Sequence, residues 1–140
     1  VIRGNVLYDY FPHTSASFLN WVVSSLKNNQ EIKVVEDQFN NPTWTRSMSD
    51  IIELSIENDL EGIIHWGDSE HISRFEFAKL IAKKFSLNES LIKPVLTSEL
   101  NQPARRPLQS GLSTEKLVNM LDIIPPSIDD CLDEIIKTIQ

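Results

Sequence analysis

The loop from Asp37 to Thr43 combines residue types that can bind a polar ligand, since an acid, three amides and a hydroxyl fall within its sequence DQFNNPT. The preceding run, Ile32 to Val35, is rich in β-branched residues and predicts a buried strand. In α/β proteins, binding residues concentrate in short loops at the ends of such strands. Pro42 stiffens this loop because its ring fixes φ. The loop is therefore a candidate binding site, with an ordinary polar turn as the alternative.

A second candidate is the segment from Pro103 to Pro107, in which two prolines flank Arg105 and Arg106. A loop stiffened by proline loses less conformational entropy when it binds a ligand. The planar guanidinium group of arginine suits the oxygens of a phosphate. We therefore expect at least one of the two arginines to bind phosphate. A structural ion pair with one of the chain's many carboxylates is the alternative for the other.

Residues near the first loop extend the candidate site. Trp44 could stack on a nucleotide base or a sugar, or could pack at the edge of a strand. Arg46 could join Arg106 at a diphosphate, or could interact with the start of the following helix. His65 lies between two apolar residues, which is typical of a core histidine with its ring nitrogens hydrogen-bonded; general-base catalysis is the less favoured interpretation. Cys131 lies on the apolar side of the last predicted helix and is expected in the core.

Composition limits the classes of function. With 140 residues, 41% of them hydrophobic, the chain suits one compact domain. The net charge of −7 argues against a nucleic-acid surface, which requires clustered lysine and arginine. No apolar run reaches the roughly 18 residues that a membrane span requires. The single cysteine excludes an internal disulfide, and the histidines show no spacing typical of a metal site.

The pattern of apolar residues alternates between strands and helices, which predicts an α/β domain. Ser15 is a candidate N-cap for the first helix, Ser47 with Asp50 for the second, and Ser73 with Glu76 for the third as a capping box. The predicted strands are Val1 to Tyr8, Ile32 to Val35, Ile63 to Gly67, and Ile92 to Leu96, which contains Pro94 and is expected at an edge. The predicted helices run from Ser15 to Asn29, from Ser47 to before Gly62, onward from Ser73, from Ser113 to Leu121, and from Ser127 to Ile139.

The ordered set of motifs resembles the C-terminal part of the dTDP-4-dehydrorhamnose reductases, a family of the extended short-chain dehydrogenase/reductase superfamily. The similarity covers nearly the whole chain and lies in the order and spacing of its segments. The matching segments are Arg3 to Tyr8, Phe18, Asp37 to Thr43, Gly62 to His65, Ser73 with Phe75, Pro103 with Arg106 and Pro107, Ser110, Leu112, Thr114 to Lys116, and Ile124 with Pro125.

This resemblance implies the C-terminal part of an extended Rossmann-type reductase, with residues 1–140 as a single α/β domain or fragment that forms a small mixed α/β substrate-binding subdomain. It also implies a cytoplasmic protein whose partner is a nucleoside-diphosphate deoxysugar, with no nucleic acid and no membrane, and it leaves a homodimer open. The substrate-binding residues implied by the motifs are Asp37, Gln38, Thr43, Trp44, Arg46, Arg105 and Arg106.

The dinucleotide-binding half of such a reductase is expected upstream of Val1. NADP or NAD would bind there, because the four glycines of this chain do not match a dinucleotide fingerprint. Neither Tyr8 nor Tyr10 has a lysine four residues later, so the Tyr-x-x-x-Lys pair of the family is missing and no catalytic residue is assigned. This chain alone is therefore not expected to catalyse the reduction.

Departures from the family pattern leave other interpretations open. Asn40 stands where the family usually has glycine, Val6 where it often has tryptophan, and Asp9 where glycine or alanine is common. One alternative is a non-catalytic module, similar to the regulatory subunit of methionine adenosyltransferase. The other is a sugar-nucleotide epimerase or dehydratase, although Arg105 to Leu108 does not reproduce the Arg-x-x-Asp signature of those enzymes.

Overall fold

The computed structural model describes residues 1–14, 17–100 and 103–139, which form a mixed α/β fold as predicted. The strands are β1 (Ile2–Arg3), β2 (Leu7–Tyr8), β3 (Ile32–Val35), β4 (Phe39–Asn40), β5 (Thr43–Trp44), β6 (Ile64–His65), β7 (Ile72–Ser73) and β8 (Ile92–Val95). The helices are α1 (Phe18–Lys27), α2 (Thr45–Glu57), α3 (Arg74–Lys84), α4 (Glu115–Leu121) and α5 (Ile128–Ile139). Within these ranges, every helix is too short or too polar to span a lipid bilayer.

The strands associate in pairs that join distant parts of the sequence. Three pairs are parallel, namely β1 with β6, β2 with β5, and β3 with β8, while β4 and β7 are antiparallel. Pro94 lies opposite Val34 in the two-stranded β3–β8 pair. Proline is tolerated there because an edge strand does not need every N–H group for pairing. The expected edge strand is therefore confirmed.

Two apolar clusters hold these elements together. The larger cluster lies among α1, α3, α5 and the β3–β8 pair, and its fully buried members include Leu19, Ile81 and Leu132. The smaller cluster joins α2, β6 and α4 through Ile51, Ile64, Trp66 and Leu117. Burial of one large aliphatic side chain contributes about 1.5–3 kcal/mol. The larger cluster fixes β3, from whose end the Asp37–Thr43 loop begins.

The first strand predicted from the sequence is interrupted. Val6 has a positive φ of 42°, so the chain bends between β1 and β2 and does not form one strand from Val1 to Tyr8. A β-branched residue rarely adopts this conformation. The surrounding hydrogen bonds hold the bend, since the Asn5 N–H donates to Thr43 Oγ1 at 3.0 Å and the Thr43 N–H donates to the Val6 carbonyl at 3.3 Å.

Helix starts agree with the sequence prediction in one case and differ in two. The capping box of Ser73 and Glu76 is confirmed at the start of α3. The N-cap of α1 is Ser17, whose hydroxyl accepts the Asn20 N–H at 3.1 Å, whereas Ser15 lies outside the described residues. The predicted cap at Ser47 is wrong because α2 begins earlier, at Thr45.

The hydroxyl of Ser47 has another role inside the first turn of α2. It donates to the Trp44 carbonyl at 3.1 Å and accepts the Trp66 indole N–H at 3.2 Å. Because this hydroxyl bonds a buried tryptophan on a neighbouring segment, it is not available to cap the helix. Local sequence patterns do not reveal a partner that lies so far along the chain.

The last two helices follow the prediction closely. Helix α4 begins at Glu115, two residues after the predicted start, and ends at Leu121 before Asp122 adopts a left-handed conformation with φ of 51°. Ser127 precedes α5, and its hydroxyl accepts the Asp130 N–H at 3.1 Å. The helix prediction for the C-terminal part is therefore confirmed.

Candidate functional site

The two loops singled out by their sequences lie side by side. The Phe39 N–H donates to the Leu108 carbonyl at 2.7 Å, and the Ser110 N–H donates to the Phe39 carbonyl at 3.0 Å. The Asn41 amide reinforces this pairing, because it donates to the Leu112 carbonyl at 3.0 Å and accepts the Leu112 N–H at 2.7 Å. The Asp37–Thr43 loop therefore holds the segment that follows Arg106 in a defined position.

A cavity of about 400 Å³ opens between these loops, α1 and the start of α3. Its polar members are Lys33, Gln38, Arg74 and Arg106, and none of the described residues that line it is acidic. The remaining lining residues are apolar or aromatic, namely Phe18, Trp21, Val34, Val35 and Leu100. A concave surface with three cations and no carboxylate is suited to an anion, and its aromatic rings can contact a planar group.

Arg74 is a site residue that sequence reasoning missed. Its guanidinium carbon lies 5.4 Å from the centroid of the Phe18 ring, which indicates a cation–π contact. Burial lowers the pKa of Arg74, and the nearby positive charge of Arg106 lowers it further. Within the described ranges, no carboxylate forms an ion pair with either guanidinium.

The position of Arg74 in the first turn of a predicted helix is a sequence signal that could have identified it as a site residue. The residue directly follows the N-cap Ser73 and opens α3. The positive end of the helix dipole makes the first turn unfavourable for a cation, and acidic residues are preferred there. An arginine at that position is therefore unusual enough to indicate a specific role.

Gln38 faces the cavity, whereas Asp37 binds a neighbouring segment. The Gln38 side chain is buried, and its amide donates to Thr97 Oγ1 at 3.0 Å. The Asp37 carboxylate accepts the Thr97 N–H at 3.0 Å and the Thr97 hydroxyl at 2.6 Å. Asp37 thus anchors the turn that leads toward Leu100. A direct contact between Asp37 and a substrate stays a prediction.

Thr43 is fully buried and serves the interior of the fold. Its hydroxyl accepts the Asn5 N–H at 3.0 Å and donates to the Trp66 carbonyl at 3.3 Å. Both hydrogen bonds connect β5 to neighbouring segments, so the hydroxyl already has a donor and an acceptor. The substrate contact expected for Thr43 stays a prediction.

Trp44, Arg46 and Arg105 do not line the cavity. Trp44 is half-buried and packs against the larger apolar cluster. The exposed Arg46 places its guanidinium carbon 5.8 Å from the Trp44 ring centroid, so the two residues contact each other. Arg105 is exposed beside Arg106. The substrate contacts expected for these three residues stay predictions.

A buried carboxylate, Asp68, joins three segments and was not singled out from the sequence. Its side chain accepts the Tyr8 hydroxyl at 2.6 Å and the Trp44 N–H at 3.3 Å, while its own N–H donates to the Pro42 carbonyl at 2.8 Å. Only 1% of Asp68 is exposed. Burial raises the pKa of this carboxyl group to about 7, although both hydrogen bonds favour the ionised form.

The pKa of the Tyr8 hydroxyl is also raised, first by burial and then by the charge of Asp68. Tyr8 therefore stays protonated and acts as a hydrogen-bond donor. The available sequence signal for this junction was a polar residue, Asp68, directly after a predicted buried strand, because functional polar residues concentrate in the loops that follow such strands.

Two other residues have defined environments. Cys131 is buried as expected, and burial raises the pKa of its thiol to about 12, which keeps it unreactive. His65 is half-buried on β6, and its buried Nε2 atom lacks a hydrogen-bond partner among the described residues. The expectation that both ring nitrogens are hydrogen-bonded is therefore wrong for Nε2. The described residues contain no group of side chains arranged to hold a metal ion.

Comparison with known proteins agrees with the motifs. The family described as the RmlD substrate binding domain matches residues 1–140. A spore coat polysaccharide biosynthesis protein, SpsK of Bacillus subtilis, is 30% identical over 81% of this chain and 38% of its own length. The dTDP-4-dehydrorhamnose reductase of Burkholderia thailandensis is 30% identical over 83% of this chain and 44% of its own length.

A solved structure shows the same fold. The dTDP-4-dehydrorhamnose reductase of Bacillus anthracis, in complex with NADP, superposes with a TM-score of 0.89 at 27% identity and covers 98% of this chain. The match covers 47% of that chain, so the present sequence spans less than half the length of each of these relatives. On the family match across its whole length, and on this structural agreement, the chain belongs to the RmlD substrate-binding domain family.

Proposed function

We propose that this chain is the substrate-binding part of an NAD(P)H-dependent reductase that acts on a nucleoside-diphosphate-4-keto-6-deoxysugar, in the synthesis of deoxysugars for cell-surface polysaccharide. The observation that carries the proposal is the cavity lined by Arg74, Arg106 and Lys33 in a chain whose net charge is −7. In such an acidic chain, cations without acidic partners are expected where a bound anion supplies the missing charge.

The chemistry of the cavity fits a sugar nucleotide better than a simple anion. Guanidinium groups bind phosphate oxygens through pairs of N–H donors, and a charge-assisted hydrogen bond contributes about 1.5–3 kcal/mol. Phe18 and Trp21 offer ring surfaces for a base or sugar, and Gln38 offers an amide for a polar edge. A diphosphate with an attached nucleoside and sugar uses all three kinds of group.

The reducing cofactor belongs, in this proposal, to an N-terminal half that this sequence does not include. The glycines here do not form the turn that binds a dinucleotide, so the chain's own residues do not fit NADP or NAD. When bound, the cofactor supplies the hydride. The residues of this chain bind the substrate and orient its ketone, which sets the geometry of the reaction without transferring a proton.

The test is steady-state kinetics of the full-length enzyme with Arg106 substituted. Arg106→Ala should raise KM for the sugar nucleotide by an amount equivalent to about 1.5–3 kcal/mol, because one charge-assisted contact is lost. Arg106→Lys should restore only part of the affinity, because an ammonium group cannot donate from a planar fork. Arg105→Ala should have a smaller effect, since Arg105 lies outside the cavity. An unchanged KM with a lowered melting temperature in Arg106→Ala would assign the residue a structural role.

A further inference from the structure

The position of Arg74 is electrostatically unfavourable in three respects. It is partly buried, it lies at the positive end of the α3 dipole, and it faces a second guanidinium group, that of Arg106. Each feature disfavours a positive charge. Among the described residues no carboxylate compensates for it by an ion pair. The negative charge of a bound anion would compensate for all three effects, because it would stabilise the guanidinium group in place of a carboxylate.

The contacts that Arg74 makes with other described residues leave the hydrogen-bonding edges of its guanidinium group available. Its side chain lies over the Phe18 ring, and its backbone N–H donates to the Gln38 carbonyl at 3.1 Å. An aromatic ring contacts the flat face of a guanidinium group and uses none of its N–H donors. Phe18 therefore orients the group, and none of its five N–H donors forms a hydrogen bond with another of the described residues.

The cavity has room for more than one phosphate. Its volume of about 400 Å³ is within the range of sites for drug-sized ligands, and two separate guanidinium groups line it. One phosphate would satisfy one planar fork, whereas two linked phosphates can contact both arginines. The mutual repulsion between Arg74 and Arg106 is reduced most by the ligand that carries the larger negative charge.

We infer that Arg74 is a second phosphate-binding residue, and that Arg74 and Arg106 together select a nucleoside diphosphate over a nucleoside monophosphate. This inference rests on the proposed function, because it assigns a substrate-discriminating role to the same cavity. It concerns a residue that lies outside both sequence motifs. Arg74 acts here as a specificity determinant and takes no part in hydride or proton transfer.

The experiment measures binding of thymidine diphosphate and thymidine monophosphate to the full-length protein by calorimetry. NADP is present at saturating concentration, so that the cofactor site is occupied. The variants are Arg74→Gln, which removes the charge but keeps an amide donor, Arg74→Lys, which keeps the charge without the fork, and Arg106→Ala. The control is Lys83→Gln, which removes one positive charge from the last turn of the same helix, outside the cavity. Melting temperatures are measured for all of them.

We expect the unmodified protein to prefer the diphosphate. Arg74→Gln should weaken diphosphate binding by about tenfold or more, the equivalent of one charge-assisted contact. It should change monophosphate binding much less, so the preference is largely lost. The affinity of Arg74→Lys for the diphosphate should lie between that of the unmodified protein and that of Arg74→Gln. Lys83→Gln should bind both nucleotides like the unmodified protein.

Other outcomes separate failure of this inference from failure of the proposed function. If Arg106→Ala weakens diphosphate binding and Arg74→Gln does not, the cavity binds the nucleotide and the inference about Arg74 is wrong. If Arg74→Gln lowers the affinity for both nucleotides by the same factor, the assignment of one phosphate to each arginine is wrong. A lowered melting temperature with unchanged affinity would make Arg74 structural. If the unmodified protein binds neither nucleotide, the proposed function of the cavity fails as well.

Discussion

The cation-lined cavity differs from the Asp68 junction, the contact of Asp68 with Tyr8, Pro42 and Trp44, in how its charged groups are partnered. In the cavity, Arg74 and Arg106 face each other and none of the described carboxylates forms an ion pair with them. At the junction, the single carboxylate of Asp68 is almost completely buried and accepts hydrogen bonds from Tyr8 and Trp44. The two guanidinium groups of the cavity have no carboxylate partner among the described residues, whereas each carboxylate oxygen of Asp68 has a donor.

This difference supports the binding role proposed for the cavity and indicates a structural role for the junction. A buried polar group with its hydrogen bonds complete stabilises one arrangement of the chain, because any other arrangement leaves it unsatisfied. Charged donors without partners add little to the stability of the free protein but can contribute strongly to a complex. Substitutions at the junction should therefore change the free energy of unfolding, and substitutions in the cavity should change affinity.

The largest effect is expected for Asp68→Ala. This change leaves the Tyr8 hydroxyl and the Trp44 N–H without their acceptor, and each buried donor that loses its partner costs about 1–3 kcal/mol. The free energy of unfolding should therefore fall by about 2–5 kcal/mol, measured by urea denaturation. Glu53→Ala, which removes an exposed carboxylate from α2, is the control. A loss equal to that of the control would show that the junction contributes no stability.

A smaller effect is expected from pH, with a definite sign. Burial raises the pKa of Asp68 from the ordinary value of 3.8 to about 7, so between these values the folded protein retains a proton that the unfolded chain releases. The free energy of unfolding should therefore decrease as pH rises from about 4 to 7, and should level off above that.

This contribution is measured as the difference in unfolding free energy between the unmodified protein and Asp68→Asn, which cannot ionise. Between about pH 4 and 7 the unmodified protein should lose about 2–4 kcal/mol of unfolding free energy relative to the variant, since one pKa unit corresponds to about 1.4 kcal/mol. A difference independent of pH would show that the folded carboxyl group has an ordinary pKa.

The smallest effect is expected for the stability of Arg106→Ala. Arg106 is exposed, and no carboxylate among the described residues forms an ion pair with it. Its removal also relieves repulsion with Arg74. The free energy of unfolding should stay within about 0.5 kcal/mol of the unmodified value in urea denaturation. A loss above about 1 kcal/mol would show that Arg106 also stabilises the fold, which would contradict the contrast drawn between the cavity and the junction.

Local patterns predicted those features that depend on neighbouring residues. The capping box of Ser73 and Glu76 was predictable because both partners lie within one helical turn. The β-branched run from Ile32 to Val35 predicted β3 because side-chain shape favours an extended backbone. The α/β class followed from the alternation of such signals. The family resemblance came from the order of motifs and identified Gln38 and Arg106, which line the cavity.

Features that depend on distant partners were not predictable in this way. The Tyr8 hydroxyl lies 60 positions from its acceptor Asp68, so no local pattern indicates that this carboxylate is buried. The sequence around Ser47 predicts a helix cap, since the bond of its hydroxyl to the Trp66 indole depends on tertiary packing and leaves no local pattern. Arg74 lies near Arg106 because β4 pairs on one side with β7, which directly precedes Arg74, and on the other with Leu108 and Ser110, which follow Arg106.

The double hydrogen bond between the Asn41 amide and the Leu112 backbone has a consequence for the order in which the chain folds. It joins residues 71 positions apart, and contacts of such separation form late because a long loop must close first. During synthesis, these two hydrogen bonds can fix the position of the segment that carries Arg106 only after Leu112 has left the ribosome. Until then the growing chain presents Arg74 and Gln38 on an incomplete surface, so the proposed nucleotide site can form only after Leu112 has been synthesised.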